Sequence, residues 1–261
     1  MKIGTRTGSI GAEGEDALPV AAELGFAGVE FSISARDPVG NILAQQSGWD
    51  VLKRQAAETG VAVCSLCVGN LGVMLTGDSD ARRQGIQVAT NAIAAAAALD
   101  ARLILCAMDA PPEQPYDESF DRWVDGFSEI MPAAERAGVT MAPESVGRTH
   151  PQSVERFRRL VAAIDSPQIG VYFDVGNAHT QGFDSAADLR ALGDLVSQIH
   201  TKEPDSIPLM GTGPLDWDAI FAAIDAIGYD GWLVLETATG DDAHASAVYN
   251  REFLEKRLGL A

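Results

Sequence analysis

Short, mostly apolar runs alternate along the chain with longer stretches whose apolar positions recur every three or four residues. The first kind predicts buried β-strands and the second amphipathic helices. Strand-like runs cover 1–7 (MKIGTRT), 28–32 (GVEFS), 61–66 (VAVCSL), 102–108 (RLILCAM), 138–144 (GVTMAPE), 169–174 (IGVYFD), 197–202 (SQIHTK) and 231–236 (GWLVLE). Helix-like stretches follow each in turn, over 16–25, 47–59, 78–99, 117–136, 153–164, 184–195, 216–227 and 243–257. Many strands are preceded by a helix-ending glycine, as in ELGFAGVE, ETGVAV and ERAGVT.

Eight βα units without a break in composition imply parallel strands, and in a chain of 261 residues they match a closed (β/α)₈ TIM barrel, an α/β fold with one domain over 1–261. A doubly wound open sheet is the rival. It usually carries a glycine-rich phosphate loop after an early strand, and GTRTGSIGAEG lacks that spacing before a helix.

A barrel gathers the C-terminal ends of its strands on one rim, where active sites form. The last four strands carry Glu144, Asp174, His200 and Glu236 at that end, separated by 30, 26 and 36 residues, close to one βα unit each. Three acids and one imidazole make a hard, oxygen-rich set that suits Mn²⁺, Mg²⁺ or Co²⁺ better than structural zinc. Acids placed directly after apolar strands are costly unless paired or metal-bound.

Composition narrows the partners. Nineteen basic against 37 acidic residues give a formal charge of −18, which repels phosphate backbones and anionic membranes alike. No run approaches the length of a membrane span, and Met1-Lys2-Ile3 leads straight into a strand, so a cytoplasmic protein is expected. Cys64 and Cys67 form a CxxC, but on an apolar strand such residues face opposite sides, and they read as small buried hydrophobes.

APES (142–145), FDVGN (173–177), HTKE (200–203), GTGPLDW (211–217) and LVLE (233–236) together resemble the sugar isomerase/epimerase group of the xylose-isomerase-like barrels, over essentially the whole chain. That group includes ketose 3-epimerases, hydroxypyruvate isomerases and inosose-processing enzymes. The resemblance implies that Glu144, Asp174, His200 and Glu236 hold one divalent metal, Mn²⁺ first, with Mg²⁺, Co²⁺ or Zn²⁺ as alternatives. It also implies that Glu144 and Glu236 are the catalytic proton-transfer pair, acting beside a metal that acidifies the C–H next to a substrate carbonyl. The loop GTGPLDW is then the one that helps close the substrate pocket.

The chain departs from many relatives in having Asn177 where they place a histidine, and in lacking an arginine between His200 and the glycine loop. Asn177 is expected to orient a substrate hydroxyl or a ligating carboxylate. Arg6, Arg148 and Lys202 are candidate cations for an anionic substrate, with a structural ion pair the equal alternative for Lys202 and a solvated loop residue the preferred reading of Arg148. His179 reads as a substrate contact or a loop residue, and Glu30, taken to end the second strand, as a rim acid or the partner of an arginine. Trp217 is expected to pack at the start of its helix, Asp216 to cap it, and His244 to lie on the surface. The function expected is isomerisation or epimerisation of a small carbohydrate, in a protein free to form a homo-oligomer. A metal-dependent dehydratase and a non-catalytic sugar-binding barrel are the alternatives; a histidine-rich, multi-zinc nuclease is opposed by four histidines and the negative charge.

Overall fold

The computed structural model describes residues 1–146 and 150–260. Its strands are β1 (Lys2–Arg6), β2 (Gly28–Ser34), β3 (Ala62–Gly69), β4 (Leu103–Met108), β5 (Thr140–Ser145), β6 (Val171–Asp174), β7 (Val196–Thr201) and β8 (Trp232–Leu235). They form a closed barrel in sequence order, with β1 pairing in parallel with both β2 and β8. The expected (β/α)₈ architecture is the one observed.

All eight expected helices are present: α1 (Ala17–Glu23), α2 (Gln46–Thr59), α4 (Ser79–Ala98), α5 (Tyr116–Ala137), α6 (Val154–Ile164), α8 (Ser185–Leu192), α9 (Trp217–Ala226) and α10 (Ala243–Leu258). Two short helices were not expected, α3 (Leu71–Thr76) and α7 (Val175–Thr180). Each has six residues, too few for an apolar period to show. β2 runs to Ser34 rather than ending near Glu30, which corrects the expected place of that acid.

The chain packs as two compact units. In the unit formed by Phe31–Asp50 and Ser65–Tyr172, every residue of β4 is buried. Cys67, Leu103, Leu105, Ala107, Ala142 and Tyr172 form a core cluster there, with Val146 packed against it. Trp123 of α5 is fully buried and donates from Nε1 to the Gly72 carbonyl at 3.1 Å, which ties α5 to α3. The Asp78 carboxylate opens α4 by accepting from the backbone N–H groups of Asp80 at 3.0 Å and Ala81 at 2.9 Å.

The other unit comprises Met1–Glu30, Val51–Cys64 and Phe173–Ala261. Here Gly4 of β1 lies opposite both Gly28 of β2 and Val234 of β8. A side chain at Gly28 would strike the Trp232 indole at 2.8 Å, so the small residue lets β2 approach. Beyond β1, the Ser9 hydroxyl lies 3.3 Å from the Leu235 carbonyl and 3.0 Å from that of Thr237, fixing the chain on either side of Glu236. None of the three cysteines is in a disulfide and all are buried, as expected for Cys64 and Cys67, and burial pushes the Cys106 thiol far above its ordinary range, which keeps it protonated and inert.

Removing the α4 cap tests this account. Asp78→Ala leaves two exposed amides at a helix end and is expected to cost about 1 kcal/mol in urea unfolding, with an unchanged slope.

Candidate metal and proton-transfer site

Asp174 is both the last residue of β6 and the cap of α7. Its Oδ1 accepts from the Asn177 backbone N–H at 2.8 Å, which turns the chain directly from strand into helix. Its Oδ2 is buried and accepts no hydrogen bond. Lys202 Nζ stands 2.8 Å from that oxygen as a close ion pair, off the hydrogen-bonding direction. Burial alone would push the Asp174 carboxyl up, but the Lys202 ammonium and then the His200 imidazole outweigh it and hold the group well below the usual carboxylate range.

His200 projects from β7 and is 0% exposed. Its Nδ1 lies 3.2 Å from Glu236 Oε2 and 3.6 Å from Asp174 Oδ2, while its Nε2 lies 3.2 Å from Glu30 Oε1. Glu236 follows β8, its backbone N–H donating to the Thr201 carbonyl at 3.3 Å and so extending the ladder by one residue. Its Oε2 accepts from Lys202 Nζ at 2.7 Å and its Oε1 from Arg6 Nη1. The Glu236 side chain keeps 20% exposure, the open side of an otherwise buried group.

Glu144, in β5, is 2% exposed. One ligand atom each from Glu144, Asp174, His200 and Glu236 lie within 4.8 Å of one another. Ligand atoms about 2.1 Å from one ion stand roughly 3–4.2 Å apart, so small side-chain shifts would gather this set around a single cation. The unsatisfied Oδ2 of Asp174 and the hard donors fit a divalent ion.

The other expected residues divide. Arg6 and Lys202, read as anion-binding candidates, pair with the site acids. Glu30 is buried against His200 and Arg6. Asn177 is half-buried in the first turn of α7, and His179 is exposed near the end of that helix. Arg148 lies outside the described residues. His150, on the same stretch of chain, is buried, with Nε2 2.9 Å from the Gln114 carbonyl and its ring edge-on to Tyr116. His244 is exposed, and Asp216 caps α9 by accepting from the Ala219 N–H at 3.0 Å.

Sequence reading passed over Glu203. It follows Lys202 and is 2% exposed. Its Oε1 accepts from the Gly211 N–H at 2.7 Å and from Trp217 Nε1 at 2.6 Å, so one carboxylate holds both ends of the GTGPLDW loop. A side chain at Gly213 would collide with the same carboxylate. Trp217 is buried as expected, edge-on to Phe253 at 5.5 Å between ring centres. The only signal was an acid three residues after the strand-seven histidine.

Two substitutions follow. Trp217→Phe removes one of the two donors to Glu203 and is expected to lower unfolding stability by about 1.5–3 kcal/mol in urea titration. Asp174→Asn removes the low-lying carboxylate and is expected to weaken Mn²⁺ binding at least about tenfold by titration calorimetry. Undiminished binding would remove Asp174 from the ligand set.

The model of the xylose isomerase-like TIM barrel family matches residues 18–257. An L-ribulose-5-phosphate 3-epimerase, UlaE, of Salmonella heidelberg (strain SL476) is 28% identical over 260 residues, covering 94% of this chain and 89% of that protein. A solved L-ribulose 3-epimerase superposes with a TM-score of 0.84 at 22% identity, covering 99% of this chain and 94% of the other. The IOLI protein, solved with a bound zinc atom, superposes with a TM-score of 0.79 at 17% identity, covering 99% of this chain and 98% of the other. These likenesses agree with the closed barrel, and the extent of the match shows that the chain belongs to the xylose isomerase-like TIM barrel family.

Proposed function

We propose that this protein is a divalent-metal-dependent sugar epimerase that inverts the carbon next to the carbonyl of a small ketose or ketose phosphate. The observation that carries this reading is the convergence of Glu144, Asp174, His200 and Glu236 within 4.8 Å, two glutamates among them. The epimerase names of the curated and solved relatives support it. Residues 1–261 act as one catalytic domain.

Asp174 and His200 hold the ion together with the two glutamates, Mn²⁺ being the metal that this oxygen-rich set favours. When bound, the ion supplies Lewis acidity that makes the C–H beside the carbonyl easier to ionise. One glutamate takes the proton from that carbon. The other, protonated at the start, delivers its proton to the opposite face, so the configuration inverts and the two glutamates have exchanged protonation states, ready for the reverse reaction. Lys202 and Arg6 pair with Glu236 and hold its carboxylate in place, and Asn177 offers an amide that can donate and accept toward a substrate hydroxyl. The acidic surface and a small-molecule substrate fit a cytoplasmic enzyme that binds neither nucleic acid nor membrane. No helix among the described residues is long and apolar enough to cross a bilayer.

The test is hydrogen exchange in D₂O with Mn²⁺ present, using L-ribulose and L-ribulose 5-phosphate. Wild type is expected to place deuterium at C3 and form the epimer with no loss of water. Glu144→Gln and Glu236→Gln are each expected to lower epimer formation by about 10²–10⁴-fold at saturating Mn²⁺. Full exchange in both variants defeats the two-glutamate reading, and a product lighter by one water makes the enzyme a dehydratase.

A further inference from the structure

We infer that Ser9 is a positioning residue for Glu236: its hydroxyl grips the backbone on both sides of that glutamate and so fixes where the carboxylate stands for proton transfer. The inference rests on the proposed role of Glu236 as one of two proton-transferring glutamates, and adds the residue that holds it in place.

β8 ends at Leu235, so Glu236 is the first residue beyond the strand. A group that moves a substrate proton must stand within hydrogen-bonding reach of it, and no full strand ladder holds the chain at this point. Side chains and a single backbone contact take the ladder's place. On the β7 side, the Glu236 N–H donates to the Thr201 carbonyl at 3.3 Å, and the Thr201 hydroxyl donates to the Val234 carbonyl at 3.3 Å. On the β1 side, the Ser9 hydroxyl lies 3.3 Å from the Leu235 carbonyl and 3.0 Å from the Thr237 carbonyl. A hydroxyl carries one proton. Whether the two carbonyls share it or take it in turn, the tether falls beside residue 236. The peptide group leading into Glu236 is thus held at its N–H by β7 and at its oxygen by Ser9.

Ser9 is itself well fixed. It lies in the 3₁₀ turn Thr7–Ile10, which follows β1 directly. Ser9 is 3% exposed and Ile10 is fully buried. Gly11 closes the turn at φ +64°, its N–H donating to the Gly8 carbonyl at 3.3 Å. A side chain at Gly11 would meet Ala243, the first residue of α10, at 3.2 Å, so the turn packs closely against that helix.

The same stretch of chain carries Arg6, whose Nη1 donates to Glu236 Oε1. Arg6 therefore holds the glutamate by its carboxylate and Ser9 holds it by its backbone. A carboxylate gripped only at its tip moves when the backbone beneath it shifts, and a displacement of about 1 Å can cost about 10²-fold in rate. Thr237 provides the contrast. Its Oγ1 is buried and has no hydrogen-bond partner among the described residues, so that hydroxyl holds nothing.

Two measurements test this, one of them independent of turnover. By NMR-detected hydrogen exchange, Ser9→Ala is expected to speed exchange of the Glu236 N–H about tenfold. With saturating Mn²⁺ and whichever of L-ribulose and L-ribulose 5-phosphate the wild type converts, Ser9→Ala is expected to lower kcat at least about tenfold with KM within about twofold, because the substrate meets the same groups and only the carboxylate has shifted. Thr237→Val, which removes the neighbouring hydroxyl, is expected to match wild type in both. A merely structural role for Ser9 would lower the folded fraction in urea titration and leave kcat per folded molecule unchanged. Unchanged kcat per folded molecule in Ser9→Ala, unchanged exchange of the Glu236 N–H, or equal losses in Thr237→Val overturns the inference. Should the wild type epimerise neither ketose, the proposed reaction fails, and exchange at the Glu236 N–H alone then decides whether Ser9 holds this residue.

Discussion

Mutual repulsion among carboxylates governs the centre of this molecule. Glu30, Asp174 and Glu236 all approach His200, and Glu30 and Asp174 are almost entirely withdrawn from water. Ionised acids this close are tolerated only with cations among them. Arg6 and Lys202 supply two, each spanning a pair of acids. The strand order and the β1–β2 register are thus tied to an electrostatic requirement, since they bring both cations within reach.

Much of this could be read from the chain. The eight helices declared themselves because an apolar stripe over two or more turns has a period distinct from that of a buried strand. Glu144, Asp174, His200 and Glu236 were visible because each stands at the end of an apolar run, where an ionisable group demands a reason. α3 and α7 were hidden by their brevity. α7 depends on a cap, Asp174 to Asn177, that is also part of the site, so the same aspartate could be read as a strand end without revealing the helix it starts.

The harder misreadings concern partner choice. Glu30, Arg6 and Lys202 were recognised as belonging near the rim, yet sequence does not say which acid a cation meets. β2 extends four residues past Glu30, to Ser34, and that extension turns a supposed rim acid into a buried one. Glu203 escaped notice for a related reason. Its hydrogen-bond partners lie 8 and 14 residues further along, which the sequence does not show.

That arrangement bears on how the loop after β7 can diverge. Glu203 meets Gly211 and Trp217 through hydrogen bonds and excludes any side chain at position 213, while a side chain at Gly211 would run into Phe253 of α10. No one of these positions can change freely while the others stay. Pro208 and Met210 are tied separately to Asn250, and Asp216 caps α9, so residues 204–207 and 214–215 are the stretches outside these restraints. Exchange of substrate preference between related barrels should therefore proceed through those unpinned stretches, with Glu203, the two glycines and the tryptophan inherited as a single block.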